Sequence, residues 1–193
     1  KSDYLWRTFS PDQIDLNFRN PSVVIQFIKI MVHLINNGVT IFRLDAIAYL
    51  WKENGTKCIN LKQTHEIIKL LRNITNLLNV QTTIITETNL PEKENLSYFG
   101  NNDEANWIYN FSLPPLIIHA FLFENNFYLY NWSKKLPKSK VGNCYLNFIA
   151  SHDGIGIRPT EGILSDKVLK DFLNRLKKNG SKFSYRKIQN KSK

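Results

Sequence analysis

Three acidic residues each follow an apolar, β-branched run: Asp45 after Val39 to Leu44, Glu87 after Thr82 to Thr86, and Asp153 after Cys144 to Ala150. Carboxylates gathered at one site titrate apart, because like charges and partial burial leave one ionised while another holds a proton. Arg43 stands two residues before Asp45, so on a strand both side chains leave the same face. The arginine favours an ionised Asp45, as a nucleophile requires, whereas Glu87 has no cation nearby in sequence and is expected to keep a proton for a leaving oxygen. A retaining glycosidic displacement uses such a pair about 5 Å apart. His152 and Asp153 supply groups suited to sugar hydroxyls. Each position also has a plainer reading: an ion pair at a strand end for Arg43 and Asp45, a strand-end cap for Glu87, an ordinary Asp-Gly turn for Asp153. Three acids at matched positions favour the catalytic reading.

The elements that must place these acids follow from periodicity. Asn20-Pro21 starts a helix, and Val24, Phe27, Ile28, Met31, Val32 and Ile35 form its apolar stripe as far as Asn36, with Asn37-Gly38 as the stop. A strand begins at Val39, and a polar connection runs from Trp51 to Asn60. A second helix spans Thr64 to Asn79 with Ile67, Ile68, Leu71, Ile74, Leu77 and Leu78 at helical spacing. Further strands are read at Thr82–Glu87, Asn106–Phe111 and Cys144–Ala150. One long apolar helix runs from Leu113 towards Trp132, its apolar spread implying deep burial, and a last amphipathic helix holds Val168, Leu169, Phe172 and Leu176. Alternating strand and helix predicts a parallel sheet, either doubly wound or a closed (β/α) barrel. No glycine-rich phosphate loop follows the first strand, and acids at successive strand ends are where a barrel collects its chemistry, so the barrel is preferred.

The 193 residues, 42% hydrophobic and 22% charged, suit a soluble globular protein. No apolar run approaches the roughly 18 residues of a membrane-spanning helix. Cys58 and Cys144 show no paired spacing, so neither a disulfide framework nor a zinc site is expected, and a reducing, cytoplasmic setting is the default. The chain opens at Lys1 without methionine or leader, which leaves targeting open. Residues 167–193 hold ten Lys or Arg against one acid, Asp171, which accounts for nine of the ten net positive charges. The rest is nearly neutral, so no nucleic-acid surface is expected on the body, and the tail reads as a solvated, partly disordered end.

With those residues in view, GVTIFRLDAIAYL (38–50), ITETN (85–89) and ASHDG (150–154) resemble the fourth-, fifth- and seventh-strand motifs of glycoside hydrolase family thirteen, the α-amylase family of (β/α)8 barrels. The resemblance implies an α/β fold, a TIM barrel of which about strands four to seven are present. It assigns Asp45 as the nucleophile that forms a glucosyl ester, Glu87 as the general acid/base and Asp153 as the third carboxylate. It places Arg43 beside the nucleophile and gives His152 a sugar-binding role. Gln13-Ile14-Asp15-Leu16-Asn17 is similar to the family's short motif near the end of the domain inserted after the third strand.

Within the family, FSPDQIDLN, RLDAIAYLWKENGTKC, QTHEIIKL, YNFSLPPLIIHA and SHDGIGIRP are similar to the sucrose phosphorylase group. ETNLPEKENLSYFG is closest to its glucosylglycerate phosphorylase branch. Asn89 stands where sucrose-acting members often carry His, and with Gln13 it joins the expected substrate-binding set. The implied reaction passes glucose from an α-glucoside to inorganic phosphate, with no metal, organic cofactor, nucleic acid or membrane required and with the oligomeric state left open. A hydrolase or sucrose-acting transglucosylase of the same barrel, or an inactive fragment, are the alternatives. Residues 1–20 are expected to close the inserted domain, 21–163 to form a partial barrel, and 164–193 to form a barrel helix and basic tail. A typical barrel takes ~250 residues. The family's first motifs would precede Lys1, so the chain by itself is expected to be weakly active or inactive.

Overall fold

In the computed structural model, residues 5–78 and 81–185 are described. They group into two compact units. The first holds the residues up to Asn89, then Lys93–Tyr109 and Ser139–Leu146; the second holds Leu90–Glu92, Asn110–Lys138 and the residues from Asn147 on.

The first unit carries the sheet. Helix α1 (Pro21–Asn36) begins as its sequence requires, with the Asn20 side chain accepting the Ser22 N–H at 3.0 Å and Pro21 opening the first turn. It leads to strand β1 (Ile41–Leu44), then to helix α2 (Lys62–Leu77), strand β2 (Thr83–Thr86) and the short helix α3 (Glu92–Leu96). Strands β3 (Trp107–Tyr109) and β4 (Cys144–Leu146) complete a parallel sheet in the order β1-β2-β3-β4. Neighbours in chain order are neighbours in the sheet, the winding of a barrel segment and not of a doubly wound sheet. Met31, Ile35, Leu71 and Ile84 form the core between helices and sheet, with Phe42 and Leu44 packed against them. Alternation then puts Arg43 on the opposite face of β1.

The predicted helices are present, but their stripes are narrower than read. On α1, Met31 and Ile35 are buried while Phe27 is exposed and lies against Phe18, ring centroids 4.9 Å apart. On α2, Leu77 at 84% exposure lies beyond the packed face, and the predicted end at Asn79 falls outside the described residues.

Among its described residues the second unit holds three α-helices. The segment expected as one long helix is two: α4 (Leu113–Phe123) and α5 (Phe127–Lys135). The break has a local cause, because Glu124 takes a left-handed backbone, φ 49°, and the Asn125 side chain accepts the Phe127 N–H at 2.8 Å. Deep burial is also not general there, since Leu116 is buried while Phe121 on the same helix is 81% exposed. Helix α6 (Asp166–Lys178) starts at a Ser165 cap, carries Asp166 in its first turn and Arg175, Lys177 and Lys178 in its last, and buries Phe172 with Leu116, Trp132 and Leu164. Of the basic tail, residues 186–193 lie outside the described residues.

Candidate active site

Strand β1 ends one residue before Asp45, and β2 ends one residue before Glu87. Leu44 and Thr86 are register partners, and the Glu87 N–H donates to the Leu44 carbonyl at 3.1 Å, so the two acids occupy equivalent places on adjacent parallel strands. Such strands lie about 4.8 Å apart. Arg43 Nη1 donates to Asp45 Oδ1 at 2.5 Å, which places the pair on one face as their spacing requires. The Asp45 side chain is 72% exposed and that of Arg43 35%. The guanidinium carbon of Arg43 also lies 5.6 Å from the centroid of the Tyr109 ring on β3.

Burial, the largest single influence on Arg43, lowers its pKa, but hydrogen bonding with Tyr109 and Asp45 and their charges together hold it above its ordinary range. The arginine is thus a permanent cation on Asp45. Glu87 is engaged from a side not legible in the sequence: the backbone N–H of Ala46, the residue after Asp45, donates to Glu87 Oε2 at 2.8 Å.

His152 and Asp153 belong to the second unit. His152 Nε2 is 3.3 Å from Asp153 Oδ2, and both side chains are exposed. Gly154, at φ 81°, donates its N–H to the Ser151 carbonyl at 3.1 Å, so the segment is a tight turn that presents both side chains to solvent. In the first unit, Gln13 and Asn89 are both exposed, with Gln13 Oε1 accepting from Ser10 Oγ at 3.3 Å. The structure therefore joins Arg43 with Asp45, sets Glu87 at the end of the adjacent strand on the Ala46 N–H, and pairs His152 with Asp153.

The supports of the site carry no signal in the sequence. Thr88 Oγ1 donates to Asn95 Oδ1 at 2.5 Å, and Asn95 Nδ2 donates to the Tyr109 carbonyl at 2.8 Å, a buried chain that braces the loop after Glu87 against β3. No short-range spacing announces it, because Thr88 lies in a loop, Asn95 on α3 and Tyr109 on β3. Asp15, within the short motif recognised near the N-terminus, is 3.1 Å from Lys52 Nζ, and Lys52 also donates to Thr8 Oγ1 at 2.7 Å. Cys58 and Cys144 are free thiols. Among the described residues no group of three His, Cys, Asp or Glu side chains could hold a metal ion, and no helix is long and apolar enough to cross a membrane.

A parallel sheet wound in chain order, with acids just past adjacent strand ends, defines a segment of a (β/α)-barrel. The chain belongs to the α-amylase family: the model of the α-amylase catalytic domain matches residues 1–156. Its relatives include glucosylglycerate phosphorylase of Spirochaeta thermophila, 47% identical over 182 residues, which cover 94% of this chain and 31% of that protein. Glucosylglycerate phosphorylase of Escherichia coli is 44% identical over 179 residues, covering 92% of this chain and 32% of that protein. Among solved structures, sucrose 6F-phosphate phosphorylase from Thermoanaerobacter thermosaccharolyticum superposes with a TM-score of 0.79 at 24% identity, over 93% of this chain and 36% of that one, a likeness of fold. The chain spans about a third of the length of the curated relatives it matches.

Proposed function

We propose that this chain is the catalytic-carboxylate segment of a retaining α-glucoside phosphorylase acting on a glucosylglycerate-type donor. The observation that carries the reading is the pairing of Asp45 and Glu87 on adjacent strand ends, with Arg43 on one carboxylate and a backbone N–H on the other. A strand spacing of about 4.8 Å suits the roughly 5 Å separation of a retaining pair. An exposed ion pair is worth about 0–1 kcal/mol to stability, so the Arg43–Asp45 contact is better explained by holding a nucleophile than by holding the fold. The kinship with two glucosylglycerate phosphorylases supports phosphate as the acceptor and glycerate as the leaving group.

The chemistry follows in two displacements. Asp45 Oδ1 is tied to Arg43, so Oδ2 attacks the anomeric carbon as the glycosidic C–O bond breaks and Glu87 gives its proton to the departing oxygen. A glucosyl ester on Asp45 results. A phosphate oxygen then attacks the same carbon from the vacated side, Glu87 takes the proton, and the ester bond breaks to free Asp45 and release α-glucose 1-phosphate with configuration retained. By the family motifs, Asp153 is assigned to support the cationic transition state, and His152, Arg43, Gln13 and Asn89 to bind donor hydroxyls. The test is product analysis on the full-length protein with and without phosphate: glucose 1-phosphate formed only with phosphate is expected, and free glucose at equal rate in both would count for a hydrolase.

A further inference from the structure

The residue after Asp45 has a conformation that its type does not favour. Ala46 sits at φ 45°, ψ 33°, the left-handed region that costs a residue with a Cβ and persists where the surroundings impose it. Here they do. The chain turns straight into a single 3₁₀ turn over Ile47–Tyr49, in which the Tyr49 N–H donates to the Ala46 carbonyl at 3.0 Å. Ile47 and Ala48 are buried, and the Ala48 carbonyl accepts the Asn60 N–H at 2.8 Å. The turn is therefore anchored on its far side, and its near side aims the Ala46 N–H at Glu87 Oε2, 2.8 Å away and 41 residues on in the chain.

We propose that Ala46 is a positioning residue of the reaction: its left-handed turn holds the Glu87 carboxyl by one oxygen and stabilises it as it becomes an anion. The inference rests on the reading of Glu87 as the acid/base. The bond to Oε2 fixes the orientation in which the carboxyl meets the leaving oxygen. As that proton leaves, the Ala46 N–H bond becomes charge-assisted and strengthens, so it acts on the transition state more than on the ground state. The same turn follows Asp45 directly, so nucleophile and acid are set by one piece of backbone.

The experiment removes only the N–H, by replacing Ala46 with its α-hydroxy analogue, lactate, in the full-length protein, so that an ester stands in place of that amide. With an alkoxide-leaving donor such as glucosylglycerate, kcat/KM, which reports formation of the glucosyl-enzyme, is expected to fall roughly 10- to 100-fold, the scale of one lost hydrogen bond to a charged group. With α-glucosyl fluoride, whose leaving group needs no proton, kcat/KM is expected to change less than about threefold, since the acid then contributes little. The alkaline limb of the pH profile with glucosylglycerate should move to higher pH, because Glu87 loses a bond that favours its anion. Ala46→Gly keeps the N–H and accommodates the turn, and should stay near wild type on both donors. An equal loss on both donors, or no loss on either, overturns the role of Ala46. Wild-type turnover of glucosylglycerate by Glu87→Gln would instead overturn the acid/base reading, and the inference with it.

Discussion

At the scale of single residues, the site is a set of mutual constraints around Arg43. Its guanidinium bonds Asp45 and stands against the ring of Tyr109, so a lysine in its place would keep the charge but lose both the planar fork and the ring contact. Arg43→Lys in the full-length protein is expected to lower kcat/KM about 10- to 100-fold, the scale on which a displaced reacting group is felt. Steady-state kinetics on a natural donor would show it, and an unchanged kcat/KM would mean that Asp45 is held by something else. Arg43 and Asp45 could be paired from sequence because a two-residue spacing on a strand has one geometric meaning. The hold on Glu87 could not be read, because a backbone N–H carries no residue type and its aim depends on a left-handed turn that alanine does not signal.

Among the elements, α1 was readable to the residue, because Asn20, Pro21 and Asn37-Gly38 bracket it. Asn20→Ala removes the cap and is expected to cost about 1 kcal/mol, measurable as a lowered urea midpoint at unchanged slope. The long helix was misread because an apolar run carries no phase: it does not show that Glu124 will turn left-handed and divide α4 from α5. The loop between α3 and β3 hides a similar constraint at Gly100. At φ 55°, ψ −138°, a Cβ there would lie 2.8 Å from Glu104 Oε1, whose carboxylate partner Oε2 holds His65 Nδ1 at 2.7 Å. Gly100→Ala combines that crowding with a backbone region nearly confined to glycine, and a loss of about 1–3 kcal/mol in chemical denaturation is expected. Stability within about 0.3 kcal/mol of wild type would show that the loop relaxes at little cost, against the usual order for such strained positions.

For the molecule as a whole, the net charge of +10 concentrates at one end of the sequence, and the pH response of the fold has a more specific source. His119 on α4 is buried between Phe123, at 4.7 Å between ring centroids, Tyr128 and Phe172, and burial lowers its pKa below the ordinary histidine value. The unfolded chain therefore takes up this proton more readily than the folded one. The contribution of neutral His119 is complete above about pH 6.5 and is lost as pH falls through that value towards the lower folded pKa. The fall in Tm between pH 7.5 and pH 5.5 is expected to be smaller in His119→Phe than in wild type, and an identical fall would assign the acid sensitivity to other groups. The proposed reaction is a two-step transfer through Asp45 to phosphate. The most direct measurement incubates the full-length protein with glucosylglycerate and inorganic phosphate and follows α-glucose 1-phosphate. Release by the wild type, reduced at least roughly 10⁴-fold in Asp45→Ala, is expected for loss of a nucleophile. Undiminished release by that variant, or free glucose as the sole sugar product of the wild type, would contradict it.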